Sequence, residues 1–454
     1  MNTETPSPLA LTPAEPDFEL YTTSFKDVCK LNRVNHGRKL SDLVERVSQP
    51  MVIALDAPWG MGKTFFLKCW VGAHEHEFKK SGKTLYFDAF KYDFMDDPLV
   101  GLTRELISRF QGDETKDELV SKIKSAIPKI GRGVLKIALR AATAATAGLI
   151  DAQAASNAIE EAAKAAINET GEQISDATKE FWQEETNRYT AMEEFRAALT
   201  ELAKDEKLIL VVDELDRCRP DYALQLLEVI KHFFNVPNVH FVLGVNMEQL
   251  ATSVRARYGD KTPAEKYLQK FITVTMPLNA RRDRYQSNRE AIEYMENIYQ
   301  DTNEKQIGIF VLKQYLSSFH DFKNISLRDA EKISSLALVT PLPTNSRGRV
   351  ISEYDVHLFC GLLFMKVLEP DMFEKAKQGK LGNDFLDLID MSKDWDSING
   401  IDSYGRNLWE LISGESLTTE QIASATYENK TNYNPHKRLK EIAIDCFGTF
   451  ELPS

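Results

Sequence analysis

Val52-Ile53-Ala54-Leu55-Asp56-Ala57-Pro58-Trp59-Gly60-Met61-Gly62-Lys63-Thr64 is the stretch whose reading decides the fold. An apolar run rich in β-formers enters a glycine-containing turn, and Lys63-Thr64 then leads into Phe65-Phe66-Leu67, the start of a buried helix. Strand, tight turn and helix start together make a cradle for phosphate. Gly60 and Gly62 let backbone N–H groups approach phosphate oxygens with no Cβ in the way, and the following helix points its positive end at the same anion. Lys63 is placed to reach the β- and γ-phosphates, and the Thr64 hydroxyl to ligate Mg²⁺. Trp59, Met61 and Phe65 complete the candidate nucleotide-binding set. The pattern G-x-x-x-x-G-K-[ST] asks for glycine where this chain has Ala57, but the later glycines and Lys-Thr are the chemically constrained positions. The competing reading is a strand, turn and helix with a surface lysine.

A second strand supplies what such a cradle needs. Lys207-Leu208-Ile209-Leu210-Val211-Val212 is apolar enough to be buried on both faces, as central parallel strands require, and it ends on Asp213-Glu214. Alone, an acidic pair after an apolar strand reads as a helix cap or a salt bridge. Opposite a phosphate cradle, Asp213 can hold Mg²⁺ together with Thr64, and Glu214 can polarise the attacking water as a general base. Pro220 then opens a helix with Ala223, Leu226, Leu227, Ile230, Phe233 and Phe234 on one stripe. Val239 to Val245 forms another buried strand and ends on Asn246, which can orient the water at the γ-phosphate. His240, mid-strand, reads as a core histidine. Asp88, near the end of the strand Lys83 to Phe90, is open between a ligand-facing carboxylate and a cap. A helical pattern from Phe25 to Val47 carries Arg33, Arg38 and Lys39, read as a solvated face in preference to a nucleotide contact.

The rest of the chain bounds the problem. Its 454 residues leave room for two or three domains, and 43% hydrophobic with 27% charged residues describe an ordinary globular protein. A net charge of −12 argues against broad, sequence-independent nucleic-acid binding. The five cysteines form no metal-ligand spacing and fit buried thiols in a reducing cytoplasm. Residues 1–17 read as a disordered tail without the pattern of a signal peptide. Residues 18–112 and 191–280 carry the α/β rhythm. Between them, 113–190 reads as an Ala-rich helical insertion, with a flexible arm as the other reading; its uncharged run, Ala141 to Ile150, is about half the roughly 20 residues a membrane span needs. From 281 to 454 the chain reads as a helical domain, a lid or partner surface, with basic Arg281, Arg282 and Arg284 in one loop.

At Val212-Asp213-Glu214-Leu215-Asp216-Arg217-Cys218-Arg219-Pro220 the chain resembles the KAP family of P-loop NTPases, whose signature is D-[DE]-L-D-R-C-x-P. Ala57 to Thr64 is similar to that family's G-x-W-G-x-G-K-[ST] loop, Phe87 to Tyr92 to its N-x-W-x-Y segment, and Tyr267-Leu268-Gln269-Lys270-Phe271 with Pro277-Leu278 to its Y-L-x-K-[IF]…P-L element. The resemblance implies an additional-strand (ASCE-type) P-loop parallel sheet, α/β in class, with an insertion between the nucleotide motifs and a C-terminal α-helical domain. It implies ATP and Mg²⁺ as ligands and an association with bacterial defence against phages and plasmids. In relatives an arginine at the start of a lid helix faces the γ-phosphate; Asn324 to Asp329 matches that element, making Arg328 the candidate, with a surface ion pair as the other reading. Arg217 is open between a finger across a subunit interface and a salt bridge to Asp216 or Asp213. Ala57 for glycine and Asn246 for the relatives' aspartate are the departures, and both bear on hydrolysis rate.

The expected function is an ATPase acting as a nucleotide-dependent switch, with a protein partner or a homo-oligomer receiving its output. A non-hydrolysing nucleotide-binding scaffold and a DNA-stimulated motor are the alternatives.

Overall fold

The structure, a computed structural model, describes residues 18–29, 31–95, 97–113, 193–233, 236–278, 289–301, 325–340, 353–382, 403–413 and 434–448, with isolated positions between them. The amino-terminal tail, the Ala-rich run and the Arg281 to Arg284 loop lie outside the described residues, and so do the readings made of them.

Five strands form one wholly parallel sheet: β1 (Met51–Asp56), β2 (Lys83–Asp88), β3 (Leu208–Asp213), β4 (Val239–Val245) and β5 (Val274–Pro277), in the order β2-β3-β4-β1-β5. The strand that carries the glycine turn and the strand that ends on carboxylates are separated by β4. That interposed strand defines the additional-strand class, so the fold is the expected α/β P-loop architecture. Register levels the strand ends: Asp56 lies beside Val245, Gly244 beside Asp213, and Asp213 beside Asp88. Everything attached to these ends therefore meets on one edge.

The sheet is buried on both faces, which is why its central strands read as unbroken apolar runs. Leu208, Leu210 and Val212 enter one layer with α3 (Pro98–Phe110), α4 (Pro220–His232) and α5 (Met247–Tyr258). Ile209 and Val211 enter the other with α1 (Val34–Arg46) and α2 (Lys63–Gly72), where Phe66, Leu67 and Trp70 are wholly buried. Local chemistry starts the helices: Asp97 accepts from Leu99 N ahead of Pro98, and Pro220 stands at the first turn of α4, where its missing N–H is not needed.

Two local readings are corrected. The expected helix over Phe25 to Val47 is broken into Phe25–Val28 and α1, and Arg33 at the break is buried, not solvated. The strand expected to reach Phe90 stops at Asp88, whose side chain accepts from Lys91 N and caps a single helical turn.

A second apolar core gathers α6 (Arg289–Asp301), α7 (Leu327–Val339), α8 (Glu353–Leu368), α9 (Pro370–Gln378), α10 (Ser403–Ser413) and α11 (Pro435–Asp445). Among the described residues no helix is long and apolar enough to cross a membrane.

Candidate functional site

The turn after β1 is shaped by two glycines in the left-handed region, Gly60 at φ +80° and Gly62 at φ +74°, the latter immediately ahead of α2. Ala57 needs no such freedom. The described non-glycine residues with positive φ are Tyr21, Lys79, Glu214 and Asn238, so the extra methyl at position 57 carries no backbone strain. Its N–H still donates to Val245 O at 3.2 Å, prolonging the sheet. Lys63, at the first turn of α2, is buried, and its ammonium donates to Ala57 O at 2.7 Å and Pro58 O at 3.3 Å. Burial lowers its pKa, while the carboxylates of Asp216 and Asp213 oppose that shift. Phe65 packs edge-on against Phe18, and Met61 is buried in the loop itself.

Across β4, Asp213 is fully buried. Tyr86 Oη donates to its Oδ2 at 2.8 Å and Glu214 N to its Oδ1 at 2.9 Å, so both oxygens are fixed in direction. Burial pushes its pKa up to about 6. Gly244 makes the space: a Cβ there would stand 2.5 Å from Asp213 Oδ1 and 2.4 Å from Leu67 Cδ1. Glu214 adopts φ +57°, a left-handed conformation that a glutamate holds only under constraint from its surroundings. Thr64 Oγ1 donates to Glu214 Oε1 at 3.4 Å, and Arg217 Nη1 pairs with the same oxygen at 3.0 Å. The partner of Arg217 is therefore Glu214, not Asp216 or Asp213, because the single 3₁₀ turn Leu215–Arg217 folds the arginine back over it. Asp216 instead accepts from the Trp59 indole at 2.6 Å.

Asn246 follows β4 on the same edge, and its carboxamide oxygen accepts from Glu248 N as the cap of α5. Arg328 is in the first turn of α7, and its backbone N–H donates to Gly60 O at 3.3 Å. The start of α7 thus rests on the glycine turn. Thr64, Asp213 and Glu214 are brought together and Trp59 joins their strand end through Asp216, while Asn246 is engaged as the α5 cap and Arg328 meets the turn through its backbone N–H.

Sequence reasoning missed three contributors. Tyr86 donates to Asp213 Oδ2 from the neighbouring strand, and its only trace in the sequence is a phenol between Leu85 and Phe87. Gly244 was legible only as a glycine in a β-run. Arg33 left no signal that separates it from a surface arginine, yet its Nη1 donates to Met61 O at 2.9 Å.

The residues fit a divalent cation of the Mg²⁺ kind. A buried carboxylate whose direction is set by two donors stands beside a threonine hydroxyl, while among the described residues no three His, Cys, Asp or Glu side chains form a self-sufficient cage. Mg²⁺ bound with nucleotide takes one or two protein oxygens and completes its shell with phosphates and water.

The model of the KAP family P-loop domain matches residues 35–340. The chain belongs to the KAP family. Its phosphate cradle is accordingly that of a nucleotide-binding P-loop NTPase. An uncharacterised protein of Methanocaldococcus jannaschii is 29% identical over 164 residues, which is 34% of this chain and 84% of that protein. Two structures of the Aeropyrum pernix ORC2 protein, as ADPNP-ADP complexes and in an ADP form, align at TM-scores of 0.34 and 0.34 with 13% and 14% identity. They cover 92% and 90% of this chain and 94% and 84% of their own.

In this KAP chain four further letters of the signature string have a physical task. Asp216 anchors Trp59 and Arg217 holds Glu214. The Cys218 thiol, buried, donates to Glu214 O at 3.5 Å and tightens the turn that strains that glutamate. Pro220 then launches α4.

Proposed function

We propose that the chain binds ATP with Mg²⁺, hydrolyses it, and uses the nucleotide state to reposition its C-terminal helices. One observation carries the reading: Thr64 at the cradle and the Asp213-Glu214 pair, distant in sequence, meet within hydrogen-bonding distance, with the start of α7 seated on the same turn. Held by Thr64 and Asp213, Mg²⁺ would neutralise charge on the transferring phosphate. The backbone N–H groups of Gly60 to Thr64 bind phosphate oxygens, and Lys63 turns from its two loop carbonyls to the stronger, charge-assisted partner. Tyr86 keeps the Asp213 carboxylate aimed. Glu214, once released from Arg217, accepts the proton of a water attacking the γ-phosphate; Asn246 is the residue assigned to orient that water and Arg328 the one assigned to the γ-phosphate. A protein partner or further copies of the chain receive the movement of the helices. ATP is favoured over GTP because no N-K-x-D guanine-reading motif is present.

The Glu214–Arg217 ion pair also favours a second reading, a non-hydrolysing scaffold in which the base is permanently tied up. Glu214→Gln separates the two. In the hydrolysing protein it leaves ATP binding intact and stops multiple-turnover phosphate release. Wild-type protein that releases no phosphate above background would instead decide for the scaffold. Lys63→Ala weakens ATP binding in either case, and unchanged affinity refutes the cradle assignment itself.

A further inference from the structure

A phosphate loop has two sides. Its N–H groups turn toward the anion, so its carbonyls turn away from it and must be satisfied from behind, because a buried carbonyl without a donor is destabilising. Here two of those carbonyls belong to residues at the heart of the turn, Gly60 and Met61. Gly60 O accepts from Arg328 N at the start of α7. Met61 O accepts from Arg33 Nη1 at 2.9 Å, and Arg33 Nη2 in turn donates to Glu290 Oε2 at 2.6 Å. Glu290 is in the first turn of α6, and α6 and α7 share one apolar core through Ala291, Met295, Ala330 and Ile333.

Both carbonyls are therefore held by the same helical body, one directly and one through Arg33. The guanidinium is 2% exposed and has Glu290 as its ion-pair partner, so it cannot swing into solvent when that partner moves. It is also close-packed on the turn: a Cβ at Gly62 would meet Arg33 Nη1 at 3.1 Å and Leu327 Cδ1 at 3.3 Å. A shift of the Met61 peptide displaces Arg33, and Arg33 displaces α6.

We propose that Arg33 and Glu290 form a latch that couples the conformation of the phosphate loop to the position of the α6–α7 body, with Arg33 a positioning residue for the loop. The latch rests on the switch reading and adds the route by which the loop's state reaches the helices. Glu290→Ala cuts the link on the helical side without touching the cradle. Glu290→Gln keeps an acceptor while removing the charge, which makes it the conservative partner.

The test is amide hydrogen exchange of residues 289–301 and 327–339 in the full chain with and without ATP–Mg²⁺, beside an ATP titration and a thermal melt of each variant. In the wild type, ATP changes the protection of both helices. In Glu290→Ala that change is lost, Glu290→Gln restores part of it, and ATP affinity stays within about tenfold of the wild type, because coupling between two sites is reciprocal and of limited size. Arg33→Ala, which also frees the Met61 carbonyl, loses the helix response and weakens ATP binding on the order of tenfold or more. Glu290→Ala that melts as the wild type does and keeps the full ATP-dependent change overturns the latch while leaving the switch standing. Wild-type helices that ignore ATP overturn both.

Discussion

Gly244→Ala tests the packing on which the buried Asp213 carboxylate depends. The added Cβ would lie 2.4 Å from Leu67 Cδ1 and 2.5 Å from Asp213 Oδ1. Comfortable contacts between such atoms begin near 3.5 Å, so each neighbour must retreat by about 1 Å. Neither has space, since both side chains are fully buried. Overpacking a core by one methyl costs about 1–3 kcal/mol. Moving Asp213 also stretches the hydrogen bonds from Tyr86 Oη and Glu214 N, each to a charged group and worth about 1.5–3 kcal/mol when lost outright. With those bonds weakened and not abolished, the expected loss is about 4 kcal/mol, read by urea unfolding of the purified chain. The two contacts can be separated. Leu67→Val removes the δ-carbon, so the double variant recovers on the order of 1 kcal/mol relative to Gly244→Ala alone. ATP–Mg²⁺ affinity stays low in both, because only the leucine contact has been relieved. A Gly244→Ala protein within about 0.5 kcal/mol of the wild type, or one with normal nucleotide affinity, would refute the reasoning.

Three further outcomes are expected. His240 is buried in β4, and burial, with Lys207 adding to it, lowers its pKa from 6.5 to about 4. The folded chain keeps the neutral ring, so its contribution is complete above pH 6.5 and falls by up to about 3 kcal/mol as the pH drops toward 4; His240→Phe flattens that part of an unfolding-against-pH curve. Trp59 is half-exposed within the loop and donates to the buried Asp216, so Trp59→Phe lowers stability by about 1 kcal/mol and removes an ATP-dependent change in tryptophan emission, both measurable by fluorescence. Gly60→Ala forces a left-handed alanine at about 1–2 kcal/mol and drives a methyl to 2.7 Å from Ser326 Oγ, so ATP affinity drops and α7 gains hydrogen exchange.

The sheet was readable because its central strands are covered on both faces, and a strand with no solvent side has no reason to alternate. β5 gave no such signal: its residues Val274, Thr275 and Pro277 are exposed, so neither an apolar run nor a buried alternation marks it. The cradle and the carboxylate pair were legible because their chemistry is local, a glycine turn and an acidic strand end. What was illegible depends on distant partners. Arg33 finds Met61 and Glu290, and no periodicity in the neighbourhood of Arg33 encodes either. Tyr86 steers Asp213 from an adjacent strand, a relation set by register alone. For Arg217 an ion pair was one of the two open readings, and only its partner differs: an acidic string offers several carboxylates, and the tight turn chose Glu214.

The same geometry explains why glycine is needed at two positions of the loop and dispensable at a third. A Cβ at Gly60 would strike Ser326, and one at Gly62 would press on Arg33 and Leu327. Each of these neighbours belongs to the start of α7 or to the buried Arg33 guanidinium. The two glycines therefore serve two surfaces at once, opening the front to the anion and the back to α7 and the Arg33 guanidinium. Position 57 faces neither. It is buried, its N–H completes the β4 ladder, its φ is ordinary, and its carbonyl receives Lys63. An alanine methyl there meets no left-handed backbone and blocks no docking helix. The loop's glycine pattern in this chain is set as much by the helical body that leans on it as by the nucleotide it cradles, and Gly62→Ala should accordingly disturb α7 even without nucleotide.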